Sequence, residues 1–259
     1  MPRPIWKGAI SFGLVSIPIK LYPAIKRKEI TFHFLHRDCG TKLIYQKYCP
    51  FCKREVEWDE VVRGYEYEKG KYVILEEKDF EKLDLELTRR IDIIDFVKLE
   101  EIDPILFEKP YYLIPEEGGE KAYFLLKKAL EEEEKVGIAK VAIKNREYLC
   151  ALKVRNGLLT LETMYFINEV IDPKIFEIKK PSISQKELKL AKELISKLTA
   201  KFEPEKYTDE YRKALMELIR KKIKGKEIKV SKKVPKIEIK KLVEALEESM
   251  KEIEKIKKE

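Results

Sequence analysis

The opening stretch Arg3–Tyr22 constrains the fold more than any other part of the chain. It reads RPIWKGAISFGLVSIPIKLY, in which apolar residues alternate with small or cationic ones. Such alternation is typical of β-strands that bury one face, and Gly13–Ser16 predicts the break between two strands. Because cations flank Trp6 and Lys20 lies near the far end, the stretch predicts a basic strand pair beside a core.

Short alternating segments separated by turn residues continue to about residue 180. Asn156-Gly157 predicts a hairpin turn, because both residues tolerate a positive φ. Many short strands with few helices indicate a mixed, mainly β fold with a barrel or sandwich-like core. The predicted strands cover 30–34, 41–48, 65–67, 71–75, 90–99, 111–115, 137–143, 147–154 and 158–165, and the predicted helices cover 77–83 and 120–134.

The pattern changes to a helical period after about residue 180. Ser184 and Glu187 fit a capping box at the start of the first helix, and Gly225 fits the residue that ends the second. The basic segment 226–236 contains a proline and is predicted to be a linker. The predicted amphipathic helices are Ser184–Lys201, Thr208–Lys224 and Ile237–Ile256.

Charge is distributed unevenly along the chain, although the net charge is only +8. Residues 1–55 contain 11 Lys/Arg and 3 Asp/Glu, residues 56–135 contain 13 and 24, and residues 181–259 contain 23 and 15. Basic segments are expected in a surface that binds phosphates, whereas lysines that only solvate the surface are the alternative. The acidic middle would repel DNA and is predicted to face away from it.

Four residues with regular spacing form the motif H-x2-C-x9-C-x2-C: His36, Cys39, Cys49 and Cys52. A spacing of two residues lets both side chains of a pair reach one ion from a tight turn, so the motif predicts structural zinc. His33 could replace His36, and free thiols or a redox C-x-x-C pair are the alternatives. Cys150 lies in the middle of a predicted strand and is expected in the core.

Longer stretches resemble a known family. The opening stretch, GYEYEKGKYVILEEKDFEKL at 64–83, REYLCALKVRNGLLTLETMYF at 146–166 and the segment 190–228 are similar to the prokaryotic Ku proteins, the DNA-end-binding factors of non-homologous end joining. The resemblance implies a β-barrel core with an extended DNA-encircling arch and a C-terminal helical arm. It divides the chain into the core at 1–180 with a zinc-ribbon-like knuckle at 36–52, a dimerisation arm at 181–228, and a linker and helix at 229–259.

The resemblance also implies how the protein acts. A homodimer would close as a ring around a duplex end without reading its sequence, and it would recruit an ATP-dependent DNA ligase. Neither a signal peptide nor a membrane span is predicted, so the expected location is the cytoplasm, at the nucleoid. Ten cations are the candidate phosphate contacts on charge and position: Lys7, Lys20, Lys26, Arg27, Lys28, Arg37, Lys42, Lys47, Arg146 and Arg155.

Three questions stay open at the level of sequence. Trp6 and Tyr45 could stack on DNA, with burial in the core as the alternative. An enzyme is not expected, because the sequence has no Walker A loop, no GxGxxG after a strand and no nucleophile elbow. A zinc-ribbon scaffold that binds nucleic acid in transcription or translation is the competing function.

Overall fold

The computed structural model describes residues 3–76, 78–79, 89–143, 146–225 and 242–256, apart from the side chains of 254–256. The chain divides into two compact units, Met1–Pro173 and Lys174–Glu259. Helix α1 of the first unit spans Glu120–Glu132. The strands described in that unit are β1 Trp6–Phe12, β2 Val15–Pro23, β3 Tyr48–Cys49, β4 Arg54–Glu55, β5 Arg63–Glu68, β6 Lys71–Leu75, β7 Arg90–Val97, β8 Phe107–Pro115, β9 Val136–Ile143, β10 Arg146–Arg155 and β11 Leu158–Met164.

Seven of these strands close into a barrel in the order β1-β2-β8-β11-β10-β9-β7. Neighbouring strands are antiparallel except for β1 and β7, which run parallel where the barrel closes. The period of two sends alternate side chains inward, and inward residues such as Ile10, Ile19 and Leu161 are fully buried. The predicted mainly-β barrel is therefore confirmed.

One face of helix α1 packs against the barrel core. Its Tyr123, Leu126 and Leu130 belong to the same buried cluster as the inward residues of the strands. The Tyr123 hydroxyl donates to the carbonyl oxygen of Leu113 at 2.9 Å and accepts from the N–H of Leu159 at 2.8 Å. Burial raises the pKa of Tyr123, so the phenol stays protonated and joins the helix to two strands.

Replacing Tyr123 by Phe is expected to lower the free energy of unfolding by about 1–3 kcal/mol, because two buried backbone groups lose their partner. Guanidinium denaturation followed by tryptophan fluorescence measures the change. Tyr65→Phe is the matched control, because Tyr65 is 64% exposed. Equal stability of the two variants would show that the phenol does not tie α1 to the barrel.

Several local predictions are confirmed, and two are wrong. Asn156 and Gly157 adopt positive φ at the β10–β11 turn, and Gly13 does so at the β1–β2 turn. Strands were predicted over 30–34 and 41–48. Within these ranges, only Lys42, in an isolated bridge to Leu35, and Tyr48, the first residue of β3, pair as in a sheet. No residue of 22–76 is buried, so alternating side chains in 30–34 and 41–48 have no core to face, whereas β5 and β6 in the same range are held by pairing with each other.

The second unit is helical where it is described. Its helices are α2 Gln185–Leu198, α3 Glu210–Ile223 and α4 Leu242–Ile256. Ser184 caps α2 as predicted: its hydroxyl accepts from the N–H of Glu187 at 3.3 Å, and the Glu187 carboxylate accepts from the N–H of Ser184 at 2.7 Å. Helices α2 and α4 pack together, with an ion pair between Lys186 and Glu247 at 3.5 Å.

Some predictions cannot be compared with the structure. The linker at 226–236, the first residues of the third predicted C-terminal helix and most of the helix predicted at 77–83 lie outside the described residues. The sequence predicted a domain boundary after residue 180, and the two compact units of the structure divide after Pro173. Among the helices of the described ranges, none combines the length and the apolar character needed to cross a membrane.

Candidate nucleic-acid interface

The outer face of the barrel is open along β1 and β2. Lys7 and Lys20 lie directly opposite each other in the register of these strands. Ile19 and Leu21, on either side of Lys20, are fully buried, so the two lysines project outward from the same surface. The opening sequence thus folds as predicted, with apolar residues inside and cations outside.

The outer face on the other side of the barrel is covered. Val136, Ala151 and Met164 lie on β9, β10 and β11 and are buried, although their neighbours in sequence point into the barrel. Ile102 and Leu106, from the segment between β7 and β8, pack over them. The segment between β7 and β8 therefore covers this side of the barrel.

An acidic side chain lies between the two outward lysines. The Glu116 carboxylate is 3.0 Å from Lys20 Nζ and 3.9 Å from Lys7 Nζ. The hydrogen bond from Lys20 lowers the pKa of Glu116, and the same bond raises the pKa of Lys20. Lys20 and Glu116 are therefore both charged at neutral pH, and Glu116 offsets part of the positive charge of this surface.

Arg90 is a cation at this surface that the sequence did not single out. The parallel register places it beside Ala9 of β1, and its Nη2 donates to the Ser11 hydroxyl at 2.8 Å. Its Nε lies 3.5 Å from a carboxylate oxygen of Asp92. The sequence offered one signal for this cation, the pair Arg89-Arg90 before an alternating segment. Only the contact between β1 and β7 shows that Arg90 lies on the same surface as the two lysines. Lys7, Lys20 and Arg90 are called the outer cation group below.

The other candidate cations are dispersed. Arg27 pairs with Glu29 at 3.4 Å in the extended segment after β2, and Arg146 pairs with Glu169 at 2.5 Å. Arg146 and Arg155 begin and end β10 and so lie at opposite ends of the barrel. Within the described ranges, five exposed candidates form no ion pair: Lys26, Lys28, Arg37, Lys42 and Arg155.

Lys47 occupies a different environment from the other candidates. Its ammonium lies over the ring of Trp58, and this buried nitrogen has no hydrogen-bond partner. Burial lowers the pKa of Lys47. In this conformation the side chain contacts its own segment and does not present its charge to a ligand.

The two aromatic candidates differ as well. Trp6 packs against the barrel core, and its Nε1 donates to the carbonyl oxygen of Ala142 at 3.1 Å. Its ring is therefore part of the fold, which was the alternative reading from sequence. Tyr45 is 88% exposed and lies outside the strands, so its ring is accessible.

The four predicted zinc ligands are arranged as two pairs. His36 Nδ1 lies 3.1 Å from Cys39 Sγ, and the N–H of Cys52 donates to Cys49 Sγ at 3.4 Å. Hydrogen bonds from Thr41 lower the pKa of Cys39 to about 7. Among the described residues, no three His, Cys, Asp or Glu side chains are grouped closely enough to hold a metal. The structure therefore forms each pair without joining the two.

Cys150 has the structural role that the sequence predicted. Its side chain is fully buried in the barrel core, and its Sγ lies 3.2 Å from the carbonyl oxygen of Ala139. Burial raises the pKa of this thiol. It is therefore a packed core residue, separate from the three cysteines of the paired motif.

Comparison with known proteins identifies the class of protein to which this barrel belongs. A family model described as the Ku70/Ku80 beta-barrel domain matches residues 11–190, a range that includes all of β2–β11 and the whole of α1. The chain belongs to the Ku family. This agrees with the resemblance of its opening and central stretches.

Individual relatives extend the similarity beyond the barrel. The chain is 49% identical over 225 residues to the non-homologous end joining protein Ku of Symbiobacterium thermophilum, across 86% of this chain but only 56% of that protein. It is 45% identical to the same-named protein of Opitutus terrae, across 86% and 81% of the two chains. With that of Archaeoglobus fulgidus the identity is 43%, across 96% and 98%.

Proposed function

We propose that the protein binds double-stranded DNA ends without sequence preference, as a homodimeric ring, in non-homologous end joining. The observation that carries the proposal is a Ku-family barrel whose uncovered outer face presents Lys7, Lys20 and Arg90. The relatives named as end-joining proteins support the same role. Bound ends would be protected and presented to an ATP-dependent DNA ligase, which would place the protein at the nucleoid.

The chemistry of the surface suits contact with the DNA backbone. Lysine and arginine neutralise phosphates and release counterions, which gives affinity without reading bases. The β1–β2 face offers cations on rigid strands, and the segment 26–28 adds three more immediately after β2. We therefore assign a binding role and no catalytic step to this surface.

The hairpin of β5 and β6 is our candidate for the arch that closes over the duplex. All six residues of β5 are exposed, as are four of the five in β6. A hairpin that buries so little of itself is marginal in isolation and gains from contact with another surface. In the proposed ring, that surface is the DNA or the second subunit.

The second unit supports the proposed homodimer. No residue at 174–225 or 242–253 is buried, although α2 and α3 have amphipathic sequences. Ile195 and Leu198 of α2 are 66% and 60% exposed. A second copy of the same arm would cover such apolar side chains across a two-fold axis. Light scattering should then give a mass near twice that of the 30.7 kDa chain.

Replacing Glu116 by Gln is expected to tighten binding to an open-ended duplex about 2- to 5-fold at low salt, because a carboxylate no longer opposes the phosphates. Fluorescence anisotropy with a labelled duplex measures the change. Glu132→Gln is the control, because Glu132 also pairs with a lysine, Lys128 at 3.4 Å, but lies on α1. If both variants behave alike, Glu116 does not border the bound DNA.

The proposed end selectivity is tested with two duplexes of equal length and sequence. One has two open ends, and the other has both ends closed by hairpins. A titration at moderate salt should show strong binding to the open duplex and weak binding to the closed one. Equal binding would reduce the protein to a general basic DNA binder. If the protein binds neither duplex but does bind RNA, the zinc-ribbon scaffold would be favoured instead.

A further inference from the structure

The segment that contains the four paired ligands has no buried residue of its own. We call residues 34–60 the cysteine lobe. None of its residues is buried, and Phe34, Ile44 and Phe51 are 72%, 79% and 93% exposed. Such a lobe has no hydrophobic core, and small units of this kind usually depend on disulfides or a metal.

The lobe is nevertheless regular, because it consists of two short hairpin-like turns. In the first, the N–H of His36 donates to the carbonyl oxygen of Thr41 at 2.9 Å, and that of Gly40 donates to the carbonyl oxygen of His36 at 2.8 Å. In the second, β3 and β4 pair Cys49 with Arg54. Each turn holds one ligand pair.

The two turns share a further detail of backbone geometry. The residue that follows the second ligand of each pair has a positive φ: 68° at Gly40 and 52° at Lys53. Lys53 is one of only a few such non-glycine residues in the described chain, and this conformation is unfavourable for a lysine. It closes the turn around Cys49 and Cys52, in which the N–H of Cys52 donates to Cys49 Sγ.

We propose that His36, Cys39, Cys49 and Cys52 bind one structural zinc ion that joins the two turns. The donor types suit zinc, because three thiolates and one imidazole can complete a closed tetrahedral site with no position left for a substrate. The two pairs are separate among the described residues, so the ion would draw them together on binding. The ion would supply the cross-link that the missing core does not. Neighbouring cations, Arg37, Lys53 and Arg54, would offset the negative charge of three thiolates.

The role of the zinc is to fix the lobe, whereas the proposed end binding rests on the outer cation group. Zinc binding to such ligands contributes directly to folding. Without it, the two turns would stay unjoined while the barrel, which has its own core, stays folded. The lobe also contains Arg37, Lys42 and Tyr45, so these side chains would be held less firmly when a chelator removes the zinc.

The test is the metal content of the untagged full-length chain. After dialysis against metal-free buffer, elemental analysis should find about one zinc per chain in the wild type, as a closed four-ligand site predicts. The double variant Cys49→Ser/Cys52→Ser should lose it. Circular dichroism of this variant must show an intact barrel, so that loss of zinc cannot be attributed to global unfolding.

Two controls sharpen the assignment. Cys150→Ala should keep its zinc, because this thiol lies in the barrel core. His33→Ala should also keep it, whereas His36→Ala should lose it or release it faster to a chelator. Limited proteolysis should cut the lobe faster in the variants that lose zinc and leave the barrel intact.

Three results would overturn the proposal. These are a wild-type protein without zinc after expression in zinc-supplemented medium, a double variant that retains it, and a disulfide between Cys49 and Cys52 found by mass spectrometry. None of them bears on end binding, which is measured separately with the open and closed duplexes. The zinc site and the proposed function can therefore fail independently.

Discussion

Reversing the outer cation group by combining Lys7→Glu, Lys20→Glu and Arg90→Glu is expected to weaken binding to open-ended duplex by at least about 100-fold near 0.15 M salt. The estimate assumes three lost phosphate contacts per subunit, each with its share of counterion release. The slope of log affinity against log salt should become shallower by about 5, because a homodimeric ring would lose six such contacts. Both quantities come from anisotropy titrations over a series of salt concentrations.

The control carries the same change in net charge on another surface. Lys98, Lys121 and Lys128 lie in the acidic middle of the chain, and all three are exposed. Their reversal should weaken binding less than about tenfold, because long-range effects of surface charge are screened at this salt concentration. If the two triple variants lose equal affinity, binding reflects net charge alone and the β1–β2 face has no special role.

Replacing Gly8 by Ala is expected to lower the free energy of unfolding by roughly 3 kcal/mol, the upper part of the range for overpacking. A Cβ at Gly8 would overlap the carbonyl oxygen of Arg89 and the ring of Trp6. The same carbonyl accepts the N–H of Ala9 at 2.8 Å. The substitution therefore separates β1 from β7 at the seam where the barrel closes.

Gly64→Ala is the matched control for this variant. A Cβ there would make ordinary contacts with Tyr72 at 3.5 Å, so stability should change little. Guanidinium denaturation of both variants measures the difference. A Gly8→Ala protein as stable as the control would mean that β1 and β7 do not approach each other as described.

Local patterns in the sequence were sufficient to predict much of the fold. The β1–β2 pair, the Asn156-Gly157 turn and the Ser184 cap were all predicted, because each depends on neighbouring residues only. The parallel contact between β1 and β7 joins residues far apart in sequence, and no periodicity indicates it. At 30–34 and 41–48, alternation gave the wrong answer, because these segments have no core to receive one face.

The candidate site was predictable to a lesser degree. Charge identified Lys7 and Lys20, and the strand period placed them together. Charge could not show that Glu116 from another part of the chain pairs with both, that Lys47 turns onto Trp58, or that Arg90 joins the same surface. Each of these depends on tertiary contacts that bring distant segments side by side.

The central claim is that the protein encircles DNA after entering at an end, and topological trapping tests it most directly. The protein is loaded on a linear plasmid, the plasmid is closed into a circle by a ligase, and excess competitor duplex is added. We predict that the protein stays on the circle and leaves only after a restriction enzyme reopens it. Dissociation from the closed circle as fast as from the linear form would contradict the ring.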